Sequence, residues 1–276
     1  MRGIFVQSNT KQLIGAKIAK YALETTGKAA ARGIPVTIIE VEQQQTFRAF
    51  VGKPYRSGYA PYTFDDLQSF TLTRFMPPEL MNYTGQAIVI DPDIFALSDI
   101  SPLFDTLVGG AAIAACRKKD AWDTSVMALD CAQLQHWRVP EMLRDIAGGR
   151  RSYDSIMTLK DESAPIVELG RKWNSLDTLS DATRMLHTTN RLTQPWKTGL
   201  PIDFTFNPIP KLFGVIPRFW VQHPTHYQEH PDPEAVRAFF AAARAAHAAG
   251  AVSKSEIDAA IAARDLRSDF WQALDQ

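Results

Sequence analysis

The sequence is poor in cysteine, which limits what can hold the fold together. Only two of its 276 residues are cysteine, Cys116 and Cys131. Both lie in apolar surroundings and lack the close spacing of a zinc site, so we expect buried thiols rather than a disulfide or metal ligands. This scarcity of cysteine is typical of a cytoplasmic protein.

Net charge and long apolar runs are also missing. The 30 basic and 30 acidic residues cancel, which gives no electrostatic reason to expect a nucleic-acid partner. No window approaches the roughly 20 apolar residues of a membrane span, and the first residues do not resemble a signal peptide. We therefore expect a cytoplasmic protein without a transmembrane segment, whose membrane contact, if any, is peripheral and at the inner face.

The chain opens with an alternation that is typical of a parallel α/β sheet. The pattern predicts a strand at residues 3–6, a helix at 13–26 and a strand at 36–41. Ligands of such sheets bind beyond the carboxyl ends of the strands. Three polar residues follow the first strand and lie where a ligand would bind, although the last two could equally cap the helix: Gln7, Ser8 and Asn9.

A short apolar run that ends in two acids is the most informative stretch. Residues 87–90 read Ala-Ile-Val-Ile, which suits a strand buried on both faces, and Asp91-Pro92-Asp93 follows. Buried carboxylates need a compensating cation or hydrogen bonds. Oxygen ligands at a strand end suit Mg²⁺ or Mn²⁺ bound with substrate phosphates. The triplet is weak alone, since an Asp-Pro turn after an ordinary strand explains it as well.

Two further residues have both a structural and a functional interpretation. The pattern predicts helices at 64–75 and 134–146 and strands at 111–116 and 166–169. Arg74, near the end of the predicted helix at 64–75, could complement the helix dipole or reach a phosphate. His187 follows apolar residues and could be a core residue or a metal ligand.

Composition divides the chain into three parts. Residues 1–197 form the predicted α/β catalytic domain, and 198–232 are rich in proline and aromatics. We expect this second part to wrap the domain, with an acceptor wall or a membrane-surface contact as alternatives. Residues 233–276 predict two helices, 233–249 and 253–274, the second with a Ser253/Glu256 capping box. These helices could serve as a homo-oligomer interface.

Six segments occur in an order that is informative when taken together. They are Arg74 before Met76-Pro77; residues 88–93 with the two acids; the following 97–105; the strand entry 122–130; Trp173-Asn174; and His187 followed by Asn190 and Gln194-Pro195-Trp196. In this order they resemble the family 8 glycosyltransferases, which include glycogenin and bacterial lipooligosaccharide galactosyltransferases. The resemblance covers roughly residues 4–196.

The resemblance implies a GT-A fold, which is Rossmann-like: a mixed, mainly parallel sheet flanked by helices, here with a small C-terminal helical appendage. It implies a hexosyltransferase that moves the sugar of a UDP-sugar to an acceptor hydroxyl with retention, using Mn²⁺ or Mg²⁺. The acceptor would be a saccharide, a lipid-linked sugar or a protein.

The resemblance also assigns roles to residues of this sequence. Asp91, Asp93 and His187 would hold the metal. Asp123 and Asp154 would be catalytic, bonding the donor sugar and steadying positive charge at the anomeric carbon. The donor nucleotide would contact a larger set: Gln7, Ser8, Asn9, Arg74, Pro92, Asn190, Gln194 and Lys197.

Some positions depart from the family pattern. Asn190 replaces a glycine, and Gln194 replaces a lysine that normally touches the diphosphate, a role that Lys197 or Arg191 could take over.

Two other functions compete with this interpretation. A nucleotidyltransferase is one, but residues 7–10 are not the glycine-rich basic loop that it would need. A catalytically degenerate protein of the same fold that binds a nucleotide sugar is the other.

Overall fold

The computed structural model describes residues 1–57, 60–204, 211–212, 216–217 and 223–275. Within these residues the strands are, in chain order, β1 (Arg2–Ser8), β2 (Val36–Glu40), β3 (Gln86–Ile90), β4 (Ile94–Ala96), β5 (Ile113–Lys118), β6 (Ala121–Asp130), β7 (Ile166–Glu168), β8 (Ser175–Leu176), β9 (Met185–His187), β10 (Lys211–Leu212) and β11 (Ile216–Pro217). The α-helices are α1 (Leu13–Glu24), α2 (Gln45–Arg48), α3 (Pro77–Leu80), α4 (Val139–Ala147), α5 (Tyr153–Met157), α6 (Pro233–Ala248), α7 (Lys254–Ala262) and α8 (Phe270–Asp275).

Six strands form a central mixed sheet in the order β2-β1-β3-β6-β5-β7. Strand β1 runs parallel to both β2 and β3, and β5 runs parallel to β7. Strand β6 is antiparallel to β3 and to β5. The prediction of a mixed, mainly parallel α/β sheet is therefore confirmed, and so is the β-α-β opening.

A second sheet, which begins just beyond the carboxyl end of β3, brings distant parts of the chain together. Its order is β4-β9-β8. Strand β4 pairs with β9 in antiparallel register, with Ile94 opposite His187, and β8 runs parallel to β9. Because of this register, His187 lies next to the residues that follow β3 in the chain.

Strand β3 is buried on both faces, as its composition predicts. Ala87 to Ile90 have no exposed surface. Ile88 and Ile90 face a cluster that contains α1 and the C-terminal helices, whereas Ala87 and Val89 face a second cluster that contains α4. This alternation is the two-residue period of a strand. The C-terminal helices therefore share a hydrophobic core with the sheet.

The predicted helix at 64–75 is wrong. Residues 64–70 form turns, and a 3-10 helix follows at Thr71–Phe75. The amide of Asn9 lies within 3.2 Å of the carbonyl of Asp66 and 3.1 Å of the carbonyl of Leu67. Within the segment, Asp66 Oδ1 accepts from the backbone amide of Gln68 at 2.7 Å, and such local side-chain bonds compete with a helix.

The last predicted helix is also interrupted. Residues 253–274 form α7 and α8 with a break between them, where Arg264 has φ +62°. The amide of Arg267 donates to the carbonyl of Trp196 at 2.8 Å, so this stretch bonds to the α/β domain instead of continuing the helix. The predicted Ser253/Glu256 capping box is confirmed.

The division at 197 and 232 stays a prediction. Part of the proline-rich segment, 205–210, 213–215 and 218–222, lies outside the described residues.

Cys116 and Cys131 are buried free thiols, as expected, and burial raises the pKa of each to about 12. None of the described helices combines the length and the apolar character that a membrane span requires.

Candidate active site

Three predicted metal ligands converge at the junction of the two sheets. Asp91 directly follows β3, Asp93 directly precedes β4, and His187 ends β9. Each residue has one potential ligand atom, a carboxylate oxygen or a ring nitrogen, and these three atoms lie within 4.8 Å of one another. Because β4 pairs with β9, Asp93 and His187 become neighbours although they are far apart in the chain.

Asp91 is surrounded by donors. Arg74 donates from Nη2 to both carboxylate oxygens of Asp91, at 2.7 and 2.9 Å, and Gln7 donates from Nε2 to Oδ1. Arg74 also donates from Nη1 to Thr124 Oγ1 at 2.6 Å. Burial raises the pKa of the Asp91 carboxyl to about 6, against the opposing effect of the Arg74 charge. This site therefore disfavours a bare carboxylate and gains from additional positive charge.

Asp93 has one oxygen that no hydrogen bond satisfies. Its Oδ2 accepts from Gln194 Nε2 at 3.2 Å. Its Oδ1 is buried without a hydrogen-bond partner in the described part of the chain, and lies 3.4 Å from Nε2 of His187. A buried acceptor left open beside a ring nitrogen is the arrangement that a cation would complete.

The other ring nitrogen of His187 is held by Asn174. His187 Nδ1 and Asn174 Oδ1 are 2.8 Å apart, and both residues are buried. Burial opposes the charged ring, but the neighbouring Asp93, Asp91 and Asp123 outweigh it and raise the pKa of His187. Two carboxylates and one imidazole form a ligand set of oxygens and a nitrogen that suits Mn²⁺. The residues present therefore fit the implied metal.

The carboxylate of Asp123 is fully occupied by protein donors. Its Oδ1 accepts from the backbone and the hydroxyl of Ser125, at 3.1 and 2.6 Å. Its Oδ2 accepts from Asn174 at 3.2 Å and from Arg171 at 3.3 Å. Burial opposes the charged form, but the two bonds from Ser125 and the charges of His187 and Arg74 outweigh it and lower the pKa of Asp123, so the group is ionised at neutral pH.

An irregularity in β6 places Asp123 and Ser125 at the site. On the β5 side, Ala115 pairs with Met127 but Cys116 pairs with Asp123. The intervening residues of β6 therefore bulge out of the ladder with β5, a device that redirects side chains near functional sites.

These residues line one cleft of about 250 Å³. Six of the predicted site residues face it: Arg74, Asp91, Asp93, Asp123, His187 and Gln194. Arg191, considered as a substitute for the missing lysine, also lines it. Gln7 does not line this cleft but reaches the site through Asp91.

The structure places Lys197 elsewhere. Its side chain is 0% exposed and donates to Asp203 Oδ2 at 2.8 Å, with its ammonium 5.6 Å from the ring centre of Tyr227. An ion pair closed in this way is not available to a phosphate in the cleft. Of the two substitutes for the missing lysine, the geometry favours Arg191.

Other predicted donor contacts have structural partners. Asn9 Oδ1 caps the turn at Gln12, while Asn9 Nδ2 lies within bonding distance of three acceptors in 66–69. Ser8 donates to the carbonyl of Asn9 at 2.9 Å. Asn190 is exposed and caps the 3-10 helix at Arg191–Thr193. Their donor-binding roles, and that of the buried Pro92, stay predictions.

Asp154 is exposed on α5, whereas its neighbour Tyr153 lines the cleft. The predicted catalytic role of Asp154 therefore stays a prediction. Sequence reasoning missed Gln12, Lys118 and Tyr153, and it found Asn174 only as part of the Trp173-Asn174 pair, without a role. Gln12 and Lys118 carried no signal, because neither lies in a recognisable motif.

The fold resembles solved glycosyltransferases. It aligns with the galactosyltransferase LgtC, solved with donor and acceptor sugar analogs, at a TM-score of 0.51 and 12% identity over 71% of this chain and 89% of that chain. The apo form of the glycosyltransferase GlyE of Streptococcus pneumoniae TIGR4 gives 0.50 and 13% over 72% and 57%. No protein-family model matches, and neither does any curated protein. The chain has the GT-A glycosyltransferase fold, as its sequence motifs indicated.

Proposed function

We propose that the protein is a metal-dependent glycosyltransferase that moves a hexose from a UDP-sugar to an acceptor hydroxyl, with retention at the anomeric carbon. The observation that carries this proposal is the convergence of Asp91, Asp93 and His187 in a cleft of a GT-A fold. A divalent cation held by these residues would bind the donor diphosphate and neutralise charge that develops on the leaving phosphate.

The protein's own cations would assist at the same end of the donor. Arg74 is fixed by Asp91 and Thr124, so its charge is held in place beside the predicted ligands. Arg191 lines the cleft and contacts Gln68 through Nη1 at 3.0 Å. Positive groups that are already oriented stabilise a departing phosphate without reorganisation during the reaction.

The carboxylates of the cleft support a retaining reaction without a covalent intermediate. Among the described lining residues the acids are Asp91, Asp93 and Asp123. Asp91 and Asp93 are the proposed metal ligands, and both oxygens of Asp123 accept from protein donors. Because these three described acids are already engaged, we propose that the acceptor hydroxyl attacks from the side of the leaving phosphate and gives its proton to that phosphate.

Acceptor and location are proposed more coarsely. A saccharide, a lipid-linked sugar and a protein all offer the hydroxyl that the reaction needs. We place the protein in the cytoplasm, with peripheral contact at the inner membrane face as part of the same proposal. The C-terminal helices remain the proposed surface for association between copies.

Calorimetry with Mn²⁺ and then UDP, followed by hydrolysis assays over a panel of UDP-sugars, tests the proposal. Asp93→Asn removes a charge without changing shape, and we expect it to lower Mn²⁺ affinity and metal-dependent turnover at least tenfold. Asp105→Asn is the matched control, since Asp105 pairs with Arg2 on an exposed surface. Wild-type protein that binds neither Mn²⁺ nor UDP would contradict the proposal.

A catalytically degenerate nucleotide-sugar-binding protein is the second candidate, and one contact favours it. Gln194 stands where the family pattern has a phosphate-binding lysine, and its amide occupies Asp93 Oδ2. Binding of UDP and Mn²⁺ without hydrolysis or transfer of any UDP-sugar, over a panel of saccharide acceptors, would select this candidate.

A further inference from the structure

Three hydrogen-bonded side chains end at Nδ1 of His187, the ring nitrogen that does not face Asp93: they are those of Asp123, Asn174 and His187 itself. Asp123 on β6 accepts from Asn174 Nδ2 at 3.2 Å, and Asn174 Oδ1 lies 2.8 Å from His187 Nδ1. Asn174 is 0% exposed and directly precedes β8, which pairs with the strand that carries His187. The three residues therefore form a hydrogen-bonded relay, buried at Asn174 and His187 and partly exposed at Asp123, that leads to one ring nitrogen.

The orientation of the Asn174 amide follows from its partners. Ser125 donates its hydroxyl proton to Asp123 Oδ1 at 2.6 Å, so the Ser125 oxygen is free to accept, and it lies 2.9 Å from Asn174 Nδ2. An ionised carboxylate can only accept. Both neighbours on this side of Asn174 are thus acceptors, and the NH₂ group of Asn174 must face them.

The opposite side of the amide then fixes the proton of His187. Asn174 Oδ1 is an acceptor, so His187 Nδ1 must carry a hydrogen to bond it. In a neutral imidazole only one nitrogen is protonated. Nε2, which lies 3.4 Å from Asp93 Oδ1, is then left with its lone pair.

We propose that Asn174 is a positioning residue, held by Asp123 and Ser125, that keeps Nε2 of His187 open to a divalent cation. The inference rests on the proposed metal site and deepens it. It also assigns Asp123 a different role: Asp123 would orient the metal ligand His187 through Asn174 and would not contact the donor sugar. Groups that orient a metal-binding histidine in this way typically contribute about 10- to 100-fold in metal affinity.

Asn174→Ala tests the relay, with two readouts that need no transferase activity. Long-range ¹H–¹⁵N correlation spectra at alkaline pH report which nitrogen of neutral His187 is protonated, and His187→Asn identifies the signal. We expect a proton on Nδ1 in wild type and a shift toward Nε2 in Asn174→Ala. Titration with Mn²⁺ should show a loss of about 10- to 100-fold in affinity.

Ser125→Ala is a milder variant, because it removes one of the two acceptors of the Asn174 amide and leaves the bond to Asp123 in place. His187 should keep the wild-type tautomer in this variant, and the loss of Mn²⁺ affinity should be smaller than in Asn174→Ala. If Asn174→Ala does not fold, Asp123→Asn replaces it. That change keeps the shape of the side chain but offers Asn174 an NH₂ donor in place of a carboxylate, so the Asn174 amide can rotate by 180°. Its NH₂ group would then face His187 Nδ1, and the proton of neutral His187 should appear on Nε2. Arg171→Gln breaks the same ion pair but leaves the Asp123 carboxylate as an acceptor, so it shows whether loss of the ion pair alone moves the proton of His187.

The outcomes separate this inference from the proposed function. Wild-type protein that binds Mn²⁺ but carries the proton of neutral His187 on Nε2 would overturn the relay alone. The relay is also overturned if Asn174→Ala changes neither the tautomer nor the affinity. Wild-type protein that binds no Mn²⁺ would overturn both the metal site and its positioning residue.

Discussion

Arg74 contacts both oxygens of Asp91 from a single nitrogen, Nη2, at 2.7 and 2.9 Å. The side chains are 7% and 14% exposed, so the pair is largely removed from water. Removal of one partner from a buried pair costs more than the pair contributes, because the other charge stays desolvated. The Arg74 charge therefore matters to the fold as well as to any ligand.

Arg74→Ala should lower the free energy of unfolding at pH 7 by about 3 kcal/mol. The loss should be smaller at pH 5, because the pKa of Asp91 is about 6 and a protonated Asp91 needs no cation. Chemical denaturation of the metal-free protein at both pH values measures this. Arg144→Ala, at an exposed pair on α4, should change stability by less than about 0.5 kcal/mol. Equal losses for both variants would contradict the prediction.

Arg191→Ala should weaken UDP binding by about 10- to 100-fold, the value of a charge-assisted hydrogen bond to phosphate. Mn²⁺ affinity should change by less than about threefold, because Arg191 is not among the proposed ligands. Calorimetric titration with Mn²⁺ and then UDP separates the two effects. If UDP affinity were unchanged, another group would have to replace the missing lysine.

Lys197→Met should destabilise the protein without affecting UDP. Asp203 would lose its partner at 2.8 Å, and we expect about 2–3 kcal/mol less stability. Lys11→Met is the control on the same carboxylate, since Lys11 lies 3.6 Å away and is 26% exposed; it should cost less than about 1 kcal/mol. A stable Lys197→Met protein that no longer bound UDP would show that Lys197 reaches the phosphates.

The central strand and its two acids could be predicted because their signals are local. Ala87 to Ile90 are consecutive apolar residues, and burial on both faces follows from composition alone. The convergence with His187 depends on β4 pairing with β9, and no periodicity encodes that pairing. Only the resemblance to a known family connected the two.

Other features depend on partners that are far apart in the chain. Asn174 bonds to Asp123, 51 residues away, and to His187, 13 residues away. The segment at 64–75 has an acceptable helical pattern, but Asn9, 57 residues earlier, takes the carbonyl of Asp66. A local pattern does not show which distant side chains bond to each other, so the relay was missed, and a tertiary contact overrode the helical propensity at 64–75.

Glu256 connects α7 to α1 through a contact that should depend on pH. It pairs with Lys17 and accepts from the backbone and hydroxyl of Ser253, at 2.8 and 2.7 Å. The bond from Lys17, followed by those from Ser253, lowers the pKa of Glu256 to about 2 from 4.5. A carboxyl whose pKa is lower in the folded state stabilises the protein above pH 4.5, and this contribution is lost as the pH falls toward 2.

Glu256→Gln should therefore cost about 0.5–1 kcal/mol at pH 7, a modest value because the pair is partly exposed. The difference from wild type should shrink between pH 4.5 and pH 3, since the unfolded wild-type chain then binds a proton at Glu256 that the folded protein does not. Denaturation curves at pH 7, 4.5 and 3 measure the trend, with Glu234→Gln at an exposed pair on α6 as the control. A loss of equal size at all three pH values would mean that the glutamine side chain fails for its shape and not for its missing charge.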